Sequence, residues 1–153
     1  MPSWRYSIQG LDPDTTALAS GRDLRISPKA AREVCRYLQG MMLGEARDRL
    51  REVMELRRPV PYLRHRKKVP HRGGVEGFDA GRYPVKAAGE ILKLLDAVEA
   101  NAEFKGLYTD RLRIAHIAAQ RGRAIRKFIP RAFGRASPFF ERLTHVEVAV
   151  EEV

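Results

Sequence analysis

The chain has 153 residues and a formal net charge of +10, with 44% hydrophobic and 31% charged residues. This length fits one domain with a modest core, and the apolar content excludes a disordered tail. A positive field of this size favours a polyanionic partner, either nucleic acid or an anionic membrane surface. No stretch approaches the roughly 18 apolar residues of a membrane span. The N-terminus lacks a secretory signal pattern, so we expect a cytoplasmic protein.

The first quarter of the chain predicts an irregular arm, a strand and a helix. Residues 1–16 mix aromatic residues with Gly, Pro and Asp and form the predicted N-terminal arm. A short strand is predicted over 17–26. Ser27 followed by Pro28 is typical of a helix start, and we expect that helix to run to about Gln39, before Gly40.

Two further helices are predicted from apolar residues that recur at spacings of three and four. The second helix spans about 43–56, and Pro59 and Pro61 end it. Its predicted buried face is Ala46, Leu50, Val53 and Met54. The third helix spans about 83–104 and is the most clearly amphipathic. Its predicted core stripe is Ala88, Ile91, Leu92, Leu95, Val98 and Ala102.

A basic loop is predicted between these two helices, over 57–82. Residues 57–72 contain seven Lys or Arg, two His and no acid. Pro and Gly make regular structure unexpected from 58 to 82, and so long a loop in one domain is usually functional or ordered by a partner. The sequence therefore indicates RNA contact here, with a solvated flexible loop as the alternative.

The last third of the chain predicts a long β-hairpin over 111–150, with its tip at about 123–135. In the first predicted strand, Leu112, Ile114 and His116 alternate with other residues. In the second, the valines of 146–150 alternate with Glu147 and Ala149, and a period of two is typical of half-buried strands. Residues 111–142 contain nine Lys or Arg and a single acid, Glu141. An isolated two-stranded ribbon is marginal in water. The part of this hairpin far from the body therefore needs an external partner, and its excess of cations indicates that the partner is a polyanion.

These elements predict an α+β fold in one domain, 1–153. A small three-stranded antiparallel sheet packs against three helices, and the long β-hairpin extends from that body. Arginine forks suit phosphate, so the cations of the loop and hairpin are the candidate RNA-binding residues. They are Arg64, Arg66, Lys67, Lys68, His71, Arg72, Arg82, Arg111, Arg113, Arg121 and Arg123.

No set of residues predicts catalysis, a metal site or a cofactor. The single cysteine, Cys35, excludes an internal disulfide and a multi-cysteine zinc module. No GxGxxG or phosphate-loop motif is present, and the serine at 137 lacks the nucleophile-elbow pattern. His116 and His145 could face each other across the hairpin, although a packed or RNA-contacting histidine is the expected role. We expect no enzyme activity.

Six segments of the chain carry distinctive motifs. They are DPDTTA at 12–17, SPKAAREV at 27–34, PVPYLRH at 59–65, DAGRYPVKAA at 79–88, NAEFKGL at 101–107 and PRAFGRASP at 130–138. The chain resembles the large-subunit family called number twenty-two in the universal naming and number seventeen in eukaryotes, in its archaeal form. The RAxGRA pattern at the hairpin turn is the most specific match.

The resemblance implies a structural constituent of the large ribosomal subunit that binds its rRNA and assists assembly. It implies a globular body near the mouth of the polypeptide exit tunnel and a hairpin that forms part of the tunnel wall, beside another tunnel-lining ribosomal protein. Arg131, Gly134 and Arg135 would then contact RNA near the turn. The tip residues 126–128, which are Arg126, Lys127 and Phe128, would face the nascent polypeptide. No cofactor, membrane partner or self-oligomer is implied.

Two other functional hypotheses are compatible with the same cations. A free RNA-binding regulator or RNA chaperone would use them on any structured RNA. A protein that binds an anionic membrane surface would need a cationic amphipathic helix, whereas the cations here lie in loops and the hairpin.

Overall fold

A three-stranded antiparallel sheet forms the centre of the fold, in the order β1-β7-β4. The structure is a computed structural model, and it describes residues 5–74 and 77–153. Residues 1–4 of the predicted arm and 75–76 of the predicted basic loop lie outside this part. The elements are β1 (Thr16–Leu24), α1 (Pro28–Leu38), α2 (Leu43–Met54), β2 (Val60–Pro61), β3 (Gly81–Arg82), α3 (Val85–Phe104), β4 (Leu112–Ile125), β5 (Phe128–Pro130), β6 (Ala136–Pro138) and β7 (Glu141–Glu152).

Three helices cover the sheet, so the predicted α+β architecture is confirmed. α3 packs on β1, α1 packs on β4, and α2 packs on α3. The valines at 146, 148 and 150 of β7 are fully buried and belong to the core cluster with the helices. Their period of two therefore places one face of the central strand against the helical layer.

The predicted helix stripes form the core, apart from one residue on α2 and one on α3. The stripe of α3 is buried as expected, apart from a partly buried Leu92. On α2, Ala46, Leu50 and Val53 are buried, but Met54 is 38% exposed, so its predicted burial is wrong. The helix stops at Met54 because Leu56 adopts a left-handed φ of 61°, which an α-helix cannot continue.

A β-bulge in β4 corrects the predicted strand pattern. The register with β7 shifts between Ile114 and His116, which inserts one residue and exchanges the two faces beyond it. Ile117 and not His116 therefore continues the core face after Ile114. His116 and His145 are also not opposite each other, because His116 pairs with Ala149.

The opposite face of the central strand carries a buried carboxylate. Glu147 is 1% exposed, and it accepts hydrogen bonds from the Ser7 backbone N–H (3.1 Å), the Ser7 hydroxyl and the Gln120 side chain (3.2 Å). The Nε2 atom of His116 lies 3.2 Å from the same carboxylate. These contacts fix the described part of the N-terminal arm against the sheet.

The predicted basic loop contains more regular structure than expected. β2 and β3 form a two-stranded antiparallel ladder, and His71 forms an isolated bridge with Ala80. The Tyr62 N–H also donates to the Ala80 carbonyl at 3.0 Å. These contacts bring the two ends of the loop together beside α1, so the expectation of no regular structure over 58–82 is wrong.

Candidate nucleic-acid interface

Basic side chains from four separate segments surround the first turn of α1. Three adjoining cavities of about 510, 230 and 610 Å³ share Lys29 in their linings. We call this region the α1 groove, and its basic residues are Lys29, Arg32, Arg64, His65, Lys67, Arg82, Arg121 and Arg142. Among the described residues that line it, there is no Asp or Glu. The groove is therefore a concentrated positive field at the junction of body and hairpin.

The position of the loop over this groove follows from Glu33 on α1. The Glu33 side chain is fully buried and accepts backbone N–H groups from Leu63 (3.0 Å), Arg64 (3.3 Å) and His65 (3.2 Å). A guanidinium nitrogen of Arg32 lies 3.3 Å from the same carboxylate. Sequence reasoning missed Glu33, because an acid on a helix next to Arg32 is typical of a solvated face.

Four of the predicted RNA-binding residues line the α1 groove. They are Arg64, Lys67, Arg82 and Arg121. The guanidinium of Arg82 also lies over the Tyr62 ring, at 5.8 Å from its centroid, and donates to the carbonyl of Lys68 at 3.1 Å. Lys68 itself has a left-handed φ of 59° and lies in a turn of the loop.

The other predicted loop cations make contacts within the chain. Arg66 and His71 both contact the carboxylate of Asp79, at 3.1 and 3.2 Å. Arg72 lies over the Tyr83 ring at 5.6 Å. These side chains are still exposed, but they cross-link the two halves of the loop.

The predicted cations of β4 do not lie together. Arg111 comes immediately before β4 and Arg113 is the second residue of the strand, where Leu112 pairs with Glu152, and Arg113 forms a salt bridge with Glu151. About twelve residues separate them from the end of β4, which corresponds to roughly 40 Å of extended chain. Arg123, near the end of β4, lies 3.4 Å from the carboxylate of Asp23.

The hairpin reverses direction at Phe133 and Gly134. Both have positive φ, 60° and 66°, and the Arg135 N–H donates to the Ala132 carbonyl at 3.4 Å. Two central residues with positive φ are the pattern of a type I′ hairpin turn, and this φ is the physical reason for Gly134. Phe133 is 93% exposed at this apex, a feature that sequence reasoning did not single out.

We call the part of the hairpin beyond the Ile125–Glu141 pair the outer hairpin. The predicted tip residues Arg126, Lys127 and Phe128 lie at its base and not at its apex. Lys127 donates to Glu141 at 2.8 Å, and the Phe128 ring makes an edge-to-face contact with Phe140 at 5.9 Å between centroids. The hydrogen bond from Lys127, together with the charges of Lys127 and Arg25, lowers the pKa of Glu141. The outer hairpin therefore has some contacts of its own, which the sequence did not predict.

Comparison with known proteins identifies the family. The family model described as ribosomal protein L22p/L17e matches residues 19–151. The chain belongs to this family. The large ribosomal subunit protein uL22 of Methanopyrus kandleri is 57% identical over 152 residues, covering 97% of this chain and 96% of the relative. The uL22 proteins of Ignicoccus hospitalis and Methanocaldococcus jannaschii are 52% and 51% identical, over 100% and 99% of this chain and 99% and 97% of theirs.

Membership of this family establishes a structural role in the large ribosomal subunit and confirms that the chain is not an enzyme. Across residues 5–74 and 77–153, no three His, Cys, Asp or Glu side chains are grouped to hold a metal ion. No helix in the same residues has the length and apolar content to cross a membrane.

Proposed function

We propose that this ribosomal protein binds large-subunit rRNA through the α1 groove and the hairpin, and that it assists subunit assembly. The main observation that supports this proposal is the α1 groove. It draws cations from α1, the basic loop, β4 and β7, which lie far apart in the sequence and meet only in the fold. A single RNA segment bound there would connect the body to the base of the hairpin.

The charges of the groove support a phosphate ligand. Within the described part of the chain, no carboxylate forms a salt bridge with Lys29, Arg64, Lys67, Arg121 or Arg142. Cations that converge without counter-charge repel one another, and a phosphodiester backbone removes this repulsion and releases counterions. Lys29 and Arg142 therefore join the predicted RNA-binding residues.

The outer hairpin supports a second contact that lies deep in the subunit. Phe133 lies eight positions beyond Ile125, which at about 3.3 Å per residue extends the apex roughly 26 Å beyond the end of β4. The three residues of β5 are all exposed, and they pair with β6 in a two-stranded ladder that is separate from the central sheet. So thin a ribbon needs an external surface to hold it.

We place the outer hairpin in the wall of the polypeptide exit tunnel, next to another tunnel-lining ribosomal protein, with the body near the tunnel exit. Arg131 and Arg135 flank the turn on exposed positions and would contact rRNA phosphates. Arg126, Lys127 and Phe128 would face the nascent polypeptide from the segment where β4 ends and β5 begins.

Two variants test separately whether the turn contacts RNA and whether the outer hairpin lies in the tunnel wall. Arg131→Ala/Arg135→Ala should reduce incorporation into large subunits, most clearly when gradients are run at raised salt. Deletion of residues 126–129 should leave assembled particles whose response to stalling peptides or tunnel-binding antibiotics is altered. Normal incorporation of the double variant at raised salt would remove these arginines from the RNA interface, and an unchanged response of the deletion would remove the hairpin from the tunnel wall.

A further inference from the structure

A buried carboxylate ties the basic loop to the helix beneath it. Glu33 is 0% exposed, and its three backbone donors are consecutive residues of the loop, Leu63 to His65. A buried carboxylate is costly unless its oxygens are hydrogen-bonded, and hydrogen bonds to an ionised acceptor are about twice as strong as neutral ones. Three N–H donors and Arg32 satisfy this carboxylate.

The helix that carries Glu33 is a rigid support. Its neighbours Ala31, Val34 and Cys35 are buried in the core, and burial raises the pKa of the Cys35 thiol to about 12. A loop hydrogen-bonded to this helix therefore takes its position from the core and not from a ligand. Arg64 and His65, whose amides bind Glu33, are themselves lining residues of the α1 groove.

We propose that Glu33 is a positioning residue for RNA binding. It contacts no RNA, but it holds residues 63–65 so that Arg64, His65 and the following Lys67 converge on Lys29 before RNA arrives. The ligand of this preformed site is the phosphodiester backbone of large-subunit rRNA, so the inference rests on the proposed function. Binding is tighter when the loop has already been ordered, because the ordering entropy is not lost on association.

The Glu33→Gln variant separates an electrostatic effect from a loss of positioning, because the two predict opposite changes in RNA affinity. The substitution removes one negative charge beside a cationic groove, so electrostatics alone would tighten RNA binding. In glutamine one of the two oxygens becomes an NH₂ group, which would face either the Leu63 N–H or the N–H groups of Arg64 and His65. Either orientation breaks part of the anchor, so loss of positioning would weaken binding. We expect the affinity for a large-subunit rRNA transcript to fall about tenfold, as for a site that must be ordered on binding.

The matched control is Glu103→Gln. Glu103 is exposed on α3, so this variant makes the same charge change away from the groove. It should bind RNA as tightly as the original chain or slightly more tightly. Equal affinities for Glu33→Gln and Glu103→Gln, with the original chain binding well, would overturn the inference.

Amide hydrogen exchange of the free, unsubstituted protein tests the same inference without RNA and without a variant. The amides of residues 63–65 should be protected, because they donate to Glu33 before any ligand is present. Rapid exchange of all three would overturn the preformed site even if Glu33→Gln failed to fold. Failure of the unsubstituted protein to bind rRNA, with these amides protected, would instead refute the proposed function.

Discussion

Removing two cations of the α1 groove should weaken rRNA binding by an amount that depends on salt. The variant is Arg64→Ala/Arg121→Ala. Arg64 comes from the basic loop and Arg121 from β4, and both line the same cavity of about 230 Å³. Neither side chain forms a salt bridge with a described carboxylate, so their removal leaves no acid unpaired in the groove.

Counterion release sets the expected magnitude. Each phosphate contact contributes about 0.7–0.9 to the slope of log affinity against log salt concentration. Loss of two contacts should therefore reduce the slope by about 1.4–1.8. Between about 50 and 200 mM salt, a fourfold change, the defect of the variant relative to the original chain should shrink roughly tenfold.

Filter binding to a large-subunit rRNA transcript over this salt range measures the slope. Arg51→Ala/Lys93→Ala is the matched control, since both cations are exposed, pair with Asp48 and Glu90 on the helical surface, and line none of the three cavities. The control removes the same charge and should leave the slope nearly unchanged. Equal slopes for the two double variants would show that the groove contributes only general charge, which would refute the role we assign to it.

Two further predictions concern the base of the hairpin. Gly122→Ala would place a Cβ atom 3.0 Å from Nε2 of His145, so it should lower the free energy of unfolding, measured in urea, by about 1–3 kcal/mol. The control Gly44→Ala has no atom within 4 Å of the added Cβ and should not destabilise the protein. Equal effects of the two substitutions would contradict the close packing at Gly122. The pKa of Glu141 is lowered in the folded protein, so its contact with Lys127 should persist above the ordinary value of 4.5 and be lost only as the pH falls through the lowered pKa. An NMR titration should give a midpoint for Glu141 below 4.5 that returns toward it in Lys127→Met, and an unchanged midpoint would contradict the pairing.

The fold was largely predictable because its strongest signals are local. The valines of β7 and the apolar stripe of α3 repeat with the periods of a strand and a helix, and both are buried as expected. His116 was misplaced because a bulge depends on the pairing of two strands and leaves no clear mark on one of them. Met54 was misplaced because the helix ends there, at a left-handed Leu56.

The candidate site was predictable in its chemistry but not in its geometry. Runs of cations without acids in the loop and hairpin indicated a polyanion, and Arg64 and Arg121 do lie in the groove. Lys29 and Arg142 were missed because they lie in an ordinary helix and an ordinary strand, and only the fold brings them together. Glu33 was missed for the same reason, since its partners are backbone N–H groups about thirty residues away.

In-cell crosslinking from a photoreactive residue at Phe128 tests the central claim most directly. Phe128 is 62% exposed on the outer hairpin, and with Arg126 and Lys127 it is proposed to face the nascent polypeptide. RNA sequencing and mass spectrometry would identify the crosslinked partners. We predict crosslinks to large-subunit rRNA and to nascent polypeptide, whereas crosslinks to many unrelated RNAs, with none to nascent chains, would contradict the proposed place in the exit tunnel.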